Sequence, residues 1–529
     1  MSATQLGQRP EKSTRRWWAL AALALSGLTI GLDATVLNIA LPELSTSLHA
    51  TTGQLQWFST AYTLVVGVAM LPASNLGDRY GRKRLLIASL VLFAAASAWC
   101  AWSTTPGELI AARAVLGLAG AALMPLGFAM LPTLFPEAED RSRAVMIWTA
   151  ASTLGLPLGP IVGGWLLNHF WWGAVFVLNV PLALAGALAL LVFLPEARST
   201  RPVRLDLPGA LLSSAGLGAV IYGFINAGQH GWGSLVTWVT VAVGVILLAG
   251  FVAWERHTSH PLIELSLFGN GQFSWGTVHA TIANFALFGL LFAVPQFFQS
   301  VAGASPLGTG VRLLPMIGGI VVGSQAGGRL ARRSGSRLVI TAGFALAAIA
   351  LGAAATTKAG TGYGFAAAWI AVLGLGIGMA LPAAMTGALG ALSAERAGAG
   401  SGLLQALRQV GGTIGVAILG TVLSAGYRDR LHPGHLPPAL NRAAHDSVAA
   451  GIQVATTRHD PVLAQAVKVA FVHGMDLALI VSGGLALAGA VLALLFLPRP
   501  PRRPHKAGPA GSAKSPAADV QPDAGQSVR

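Results

Sequence analysis

One cysteine, Cys100, stands in a chain of 529 residues, so an intramolecular disulfide is impossible and neither an iron–sulfur cluster nor a Cys-based zinc site is expected. Charge is scarce as well. Lys, Arg, Asp and Glu make up only 10% of the residues against 54% hydrophobic ones, too little to coat a soluble protein of this length. No G-x-x-x-x-G-K-[ST] loop is present to cradle nucleotide phosphates, and no His, Asp and Glu residues stand at metal-ligand spacing. ATP is therefore not the expected energy source, no metal or cofactor is expected, and nothing marks the chain as an enzyme.

What the chain has instead is apolar blocks of about 20 residues, the length a helix needs to cross a hydrocarbon core of roughly 30 Å. They predict an all-α membrane protein with fourteen spans, at 17–41, 54–76, 85–103, 107–131, 144–167, 172–194, 209–227, 234–254, 273–299, 306–328, 337–356, 363–391, 399–424 and 472–497. The basic stretch Arg9 to Arg16 precedes a helix that carries Asp33 and Asn38 and is followed by many more spans, so it reads as the lead into a retained first span and not as a signal peptide.

The formal charge of +15 does not point to nucleic acid, because the basic residues lie between the apolar blocks and not along one face. Counting alternate loops places Arg79, Arg82, Lys83, Arg84, Arg141, Arg143, Arg198, Arg201, Arg204, Arg256, Arg329, Arg332, Arg333, Arg337 and Arg396 on one side of the membrane, together with both tails. Roughly 25 of the 34 basic residues fall there, which assigns that side to the cytoplasm. The expectation is a multi-pass protein of the inner (plasma) membrane with both termini cytoplasmic and the lipid bilayer as its partner. The segment 426–470 is expected to be a partly ordered external excursion, and the tail 498–529, rich in Pro, Ala and Lys, to be disordered.

Five stretches carry motifs. The loop after the second span reads Ser74, Asn75, Leu76, Gly77, Asp78, Arg79, Tyr80, Gly81, Arg82, Lys83, Arg84. A glycine turn there brings an acid and several bases to the ends of neighbouring helices, where they can hold one face shut in one state and release it in another. In the fifth span, Gly155, Leu156, Pro157, Leu158, Gly159, Pro160, Ile161, Val162, Gly163 and Gly164 space glycines four apart, leaving a smooth face for close backbone approach, while Pro160 removes a donor and bends the helix. The other three are Leu32 to Pro42 around Asp33 and Asn38, Trp171 to Pro181 in the sixth span, and Gly402 to Gly412 around Gln405 and Arg408.

The first stretch resembles the signature loop of the major facilitator superfamily, and the second the antiporter motif of that superfamily's exporters. The remaining three are similar to segments of its fourteen-spanner drug:proton antiporters. This resemblance implies a major facilitator fold: two six-helix bundles related by pseudo-symmetry, with two additional central spans and substrate bound near the midplane. It divides the chain into a cytoplasmic tail (1–16), a first bundle (17–206), the extra pair (207–255), a second bundle with the external loop (256–497) and the C-terminal tail (498–529). It also implies proton-coupled antiport that exports small amphipathic compounds by alternating access, in a protein working as a monomer. A nutrient uniporter or symporter on the same fold is the alternative. Asp78, Arg79, Gly81 and Arg82, with Gly155, Gly159, Pro160, Gly163 and Gly164, are then the expected gating residues.

Ionisable groups inside spans are costly and are candidate functional sites by default. By helix rise, Asp33 sits roughly 24 Å up the core from the cytoplasmic side and Arg113 roughly 21 Å up. The two are expected to face one cavity, with Asp33 exchanging the driving proton: burial favours the protonated carboxyl and a nearby guanidinium the ionised one, so their separation sets proton affinity. A static buried ion pair is the competing reading. Arg113 with Gly117 matches the R-x-x-x-G of the resemblance. Asn38, Asn284, Gln405 and Arg408 are candidate cavity-lining residues, though polar groups on apolar helices more often make interhelical hydrogen bonds. With Asp33 nearly alone as a buried carboxylate, a dication would be poorly neutralised, which favours a monovalent cation or a neutral compound as cargo.

Overall fold

The computed structural model describes residues 9–198, 206–393, 396–433 and 436–498, and among them there is no strand. The first helices are α1 (Arg9–Ser47), α2 (Thr52–Tyr80), α3 (Arg82–Ala101), α4 (Pro106–Leu134), α5 (Ala138–His169), α6 (Ala174–Val177) and α7 (Asn179–Phe193). A central pair follows, α8 (Leu207–His230) and α9 (Leu235–His257). The second half comprises α10 (Gly271–Gln296), α11 (Pro306–Arg312), α12 (Leu314–Ser334), α13 (Ser336–Ala354), α14 (Tyr363–Gly390), α15 (Ala397–Arg430), α16 (Pro438–Asp446), α17 (Val448–Thr457) and α18 (Pro461–Phe496).

Fourteen of these segments are long and apolar enough to cross a bilayer, with the bent α5 counted once, α6 and α7 together as one span, and α11 and α12 as another. Their starts are written in the sequence. Thr51 and Gln54 form a reciprocal capping box on α2, Thr105 caps α4 through the N–H of Glu108, and Asp460 caps α18 through the N–H of Leu463. Inside the bilayer every backbone group must be satisfied within the helix, which is why the chain is helical wherever it is apolar.

Two groups of helices result. In the first, α1 lies along α5, α2 along α4, and α3 along α4 and α7; in the second, α12 lies along α14, α10 along α15, and α13 along α14 and α18. The groups meet where α2 runs against α15 and where α5 meets α11. The pair α8–α9 leans on α2 and α15 through α8, leaving Trp238, Val245, Ile246 and other apolar side chains of α9 exposed to the surroundings that a bilayer would fill. The turn between α2 and α3 carries Arg79, Arg82, Lys83 and Arg84 and lies beside Glu196, just past α7; this end of the first group is the basic face.

Among its described residues, segment 426–470 holds more helix than expected. It continues α15 to Arg430, holds α16 and α17, and enters α18 at Pro461, so the last helix starts before residue 472. On the face opposite the basic one, α16–α17 sits on the α1–α2 corner: Thr52 Oγ1 donates to the Asp446 carbonyl at 2.7 Å, and Ser45 and Ser447 share a buried hydroxyl contact. Burial holds the Asp446 carboxyl above the ordinary carboxylate range, against the pull of Arg428, His445 and Arg442. The tail expected to be disordered lies, beyond Pro498, outside the described residues, as do residues 1–8.

Candidate functional site

Asp33 of α1 and Arg113 of α4, two charges placed at similar depth by helix rise alone, meet. Arg113 Nη1 lies 2.8 Å from Asp33 Oδ2, and the side chains are 2% and 0% exposed. Asn179, at the start of α7, donates from Nδ2 to the other oxygen, Asp33 Oδ1, at 2.9 Å. Arg113 Nε donates to the Phe58 carbonyl of α2 at 3.1 Å, and its guanidinium carbon stands 4.6 Å from the centre of the Tyr62 ring and 5.9 Å from that of Phe176. Four helices thus converge on one ion pair. Each carboxylate oxygen has a donor, and the guanidinium has a carboxylate, a carbonyl and an aromatic face, the set of partners that makes a buried charge tolerable.

Asn179 and Tyr62 are members of this site that the sequence alone does not single out. Asn179 lies inside the stretch Trp171 to Pro181, where an amide in an apolar span is the available signal. Tyr62 is fully buried, and among the described residues neither its hydroxyl nor Asn179 Oδ1 has a hydrogen-bond partner.

The site is coupled to α5 through the seam between α1 and α5. A Cβ on Gly155 would lie 2.6 Å from the Leu28 carbonyl oxygen and 2.7 Å from Gly31 Cα, so only glycine permits this approach. Gly159 and Gly163 continue the seam against Thr35 and Val36, and Gly164 faces Pro306 and Leu307 of α11. Proline at 160 offers no N–H to the carbonyl of Leu156, and α5 bends by 40° between Leu156 and Leu158. The freed Leu156 carbonyl accepts instead from Thr35 Oγ1 of α1 at 3.1 Å, a hydroxyl shared with the Gly31 carbonyl at 3.3 Å. The carbonyl that a proline in one helix leaves free is therefore satisfied by the helix carrying Asp33, two residues from it.

At the basic face, Asp78 and Arg82 form an ion pair (2.7 Å), and Arg82 Nη1 also donates to the Ala129 carbonyl of α4 at 2.9 Å. Gly81 turns the chain between α2 and α3 at φ 115°, a region that favours glycine. Arg79 does not join the pair and lies over the Tyr80 ring at 5.4 Å. Glu196, just past α7, accepts from the Lys83 backbone N–H at 3.2 Å and lies 3.5 Å from Arg84, tying this loop to the span that carries Asn179.

In the second group, Asn284 of α10 donates from Nδ2 to the Arg408 carbonyl of α15 at 2.8 Å, so these two residues are brought together. Arg408 is half-buried, with Nη1 3.7 Å from Met385 Sδ of α14. Gln405 is half-buried and its Oε1 is without a partner among the described residues. Asn38 is buried in α1, and among the described residues no hydrogen bond joins it to the other three.

The Major Facilitator Superfamily profile matches residues 23–416. The chain is 34% identical over 492 residues to the tetracenomycin C resistance and export protein of Streptomyces glaucescens, with 91% of each chain covered. It is 32% identical to the multidrug resistance protein Stp of Mycobacterium tuberculosis, with 90% of each covered, and 32% identical to the methyl viologen resistance protein SmvA of Salmonella typhimurium, with 92% of this chain and all of that one covered. Among solved structures, a bacterial homolog of the human lysosomal transporter Spinster, in an inward-facing unoccupied conformation, matches with a TM-score of 0.65 at 16% identity, covering 93% of this chain and 98% of that one. Helical layout and these similarities agree: the chain belongs to the major facilitator superfamily and is a multi-pass membrane transporter, not an enzyme.

Proposed function

We propose that the protein is a proton-coupled antiporter of the plasma membrane that exports small amphipathic compounds, working as a monomer with both termini in the cytoplasm. Export is supported by the names of its relatives, which concern resistance to and export of tetracenomycin C, multidrug resistance and resistance to methyl viologen. The observation that carries proton coupling is the Asp33 carboxylate, fully buried and held by Arg113 and Asn179 where four helices meet.

Protonating Asp33 leaves the Arg113 guanidinium buried without a counter-charge, and removing one partner of a buried pair costs about 3–5 kcal/mol. That is most of the roughly 5.5 kcal/mol needed to carry a two-state equilibrium from 1:99 to 99:1, so substrate binding has only a modest remainder to supply. Proton uptake therefore disfavours this arrangement of α1, α2, α4 and α7 and favours another. Movement of α1 is transmitted to α5 along the glycine seam and through the bond from Thr35 to Leu156.

On the face opposite the basic one, the two groups touch where Gly164 meets Pro306 and where Gln299 Nε2 donates to the Ile39 carbonyl at 2.9 Å. We take this as the closed outer gate and the basic face as the cytoplasmic loading side, in accord with the arginine distribution. The test is uptake by inverted membrane vesicles that contain the protein, energised to acidify their lumen, with rhodamine 123, fluorescein and puromycin as probes. Accumulation that collapses when a protonophore removes the gradient is expected; accumulation that persists without it overturns proton coupling.

A further inference from the structure

We propose that the guanidinium of Arg408 is the seat of an anionic group on the exported compound, so that the protein selects small amphipathic acids, carboxylates or phenolates, over cations. The inference rests on the export reading above and names its cargo. It starts from a contrast between two arginines. Arg113 is fully buried and has a carboxylate, a carbonyl and a ring face. Arg408, about ten residues into its span by helix rise and so close to the midplane, has none of these among the described residues. Among the described residues its one side-chain hydrogen bond is to the thioether of Met385 at 3.7 Å, a weak acceptor, and its Nε is buried with no partner.

An arginine at that depth without an anion is costly unless something supplies one, and this residue is not fully enclosed but half-buried. Gln405, one helical turn earlier on the same side of α15, has a buried Oε1 that is also without a partner. An acid bearing a neighbouring hydroxyl would satisfy both: its anion on the guanidinium, its O–H on the amide oxygen. The seat is rigid, since Asn284 binds the Arg408 carbonyl and a Cβ on Gly411 would fall 2.6 Å from the Thr281 carbonyl of α10. A cation finds no free carboxylate at Asp33. Asp33, which the sequence offers as its counter-charge, has both oxygens occupied and no exposure. Exchange of one anion outward for one proton inward also moves both charges in the direction favoured by an inside-negative membrane potential.

The experiment uses the full-length protein in detergent and two dyes on one xanthene scaffold, anionic fluorescein and cationic rhodamine 123, with binding read by fluorescence anisotropy. Fluorescein is expected to bind more tightly to the wild type. Arg408→Gln should weaken fluorescein at least tenfold while leaving rhodamine 123 unchanged, and Arg408→Lys should keep part of the preference. Tighter binding of rhodamine 123 by the wild type overturns the inference, as does an equal loss of both dyes in Arg408→Gln, which would mark a packing role. The wild-type comparison stands even if a variant fails to fold. Vesicle uptake separates the two readings: Arg408-dependent fluorescein binding without energised uptake of either dye contradicts export alone, and energised uptake of rhodamine 123 but not fluorescein contradicts the anion seat alone.

Discussion

Asn179 holds the oxygen of Asp33 that Arg113 leaves free, donating from Nδ2 to Oδ1 at 2.9 Å across 146 positions of sequence. A hydrogen bond to a charged group contributes about 1.5–3 kcal/mol. Asn179→Leu is therefore expected to slow proton-driven exchange by roughly tenfold or more, since each 1.4 kcal/mol is a factor of about ten. Initial rates of vesicle uptake at matched protein levels check this, and a wild-type rate would remove Asn179 from the site.

The ion pair makes a prediction about stability that separates structure from coupling. Asp33→Asn leaves Arg113 buried and uncompensated, and should cost about 3–5 kcal/mol, seen as a lower melting temperature in detergent. Adding Arg113→Met removes the orphaned charge and should restore most of the lost melting temperature, because an apolar replacement of a buried pair is often neutral or stabilising. Proton-driven transport should stay absent in the double variant. Recovery of transport along with stability would mean that the pair only fixes packing.

Thr35→Val keeps the shape of the side chain but removes the donor that serves the Leu156 carbonyl opposite Pro160. An unsatisfied acceptor costs about 1–3 kcal/mol when buried, and less at this part-buried carbonyl. The expected result is a modest fall in melting temperature and a larger fall in transport, because the bond joins the helix of Asp33 to the bent α5. Replacing Thr35 by Ser, which retains the hydroxyl, should rescue transport.

At the basic face, Gly81→Ala faces two obstacles. Its φ of 115° is strained for alanine, and the added Cβ would lie 2.7 Å from Glu196 Oε1. A loss of about 1–3 kcal/mol is expected from strain of this kind, again read by thermal unfolding. Combining it with Glu196→Ala should recover the part due to the clash but not the part due to φ.

How much of the molecule is legible in the sequence depends on chemical contrast. Fourteen spans stand out because a bilayer demands long apolar helices, and Asp33 and Arg113 stand out because an ionisable residue in such a helix is rare. Helix rise places both at one depth, and the structure joins them. Asn179 is harder to see, since a neutral amide in a span has a routine use in helix contacts, and Tyr62 reads as one more aromatic core residue. Glu196 lies more than a hundred residues from the loop that it fastens, a relation that only the folded chain creates. The helices α16 and α17 have no hydrocarbon thickness to fix their length, so their mixed polar sequence reads as a loop excursion. Pro160 announces a bend, but not that the freed carbonyl is taken by Thr35.

In the proposed mechanism Asp33 carries the exchanged proton. Proteoliposomes holding a trapped pH dye, given an outwardly or inwardly directed gradient of the transported probe and no initial pH difference, report proton movement driven by substrate alone. Wild-type protein is predicted to move protons against the probe, and Asp33→Asn to move none. Proton movement by Asp33→Asn at the wild-type ratio to probe would contradict the account.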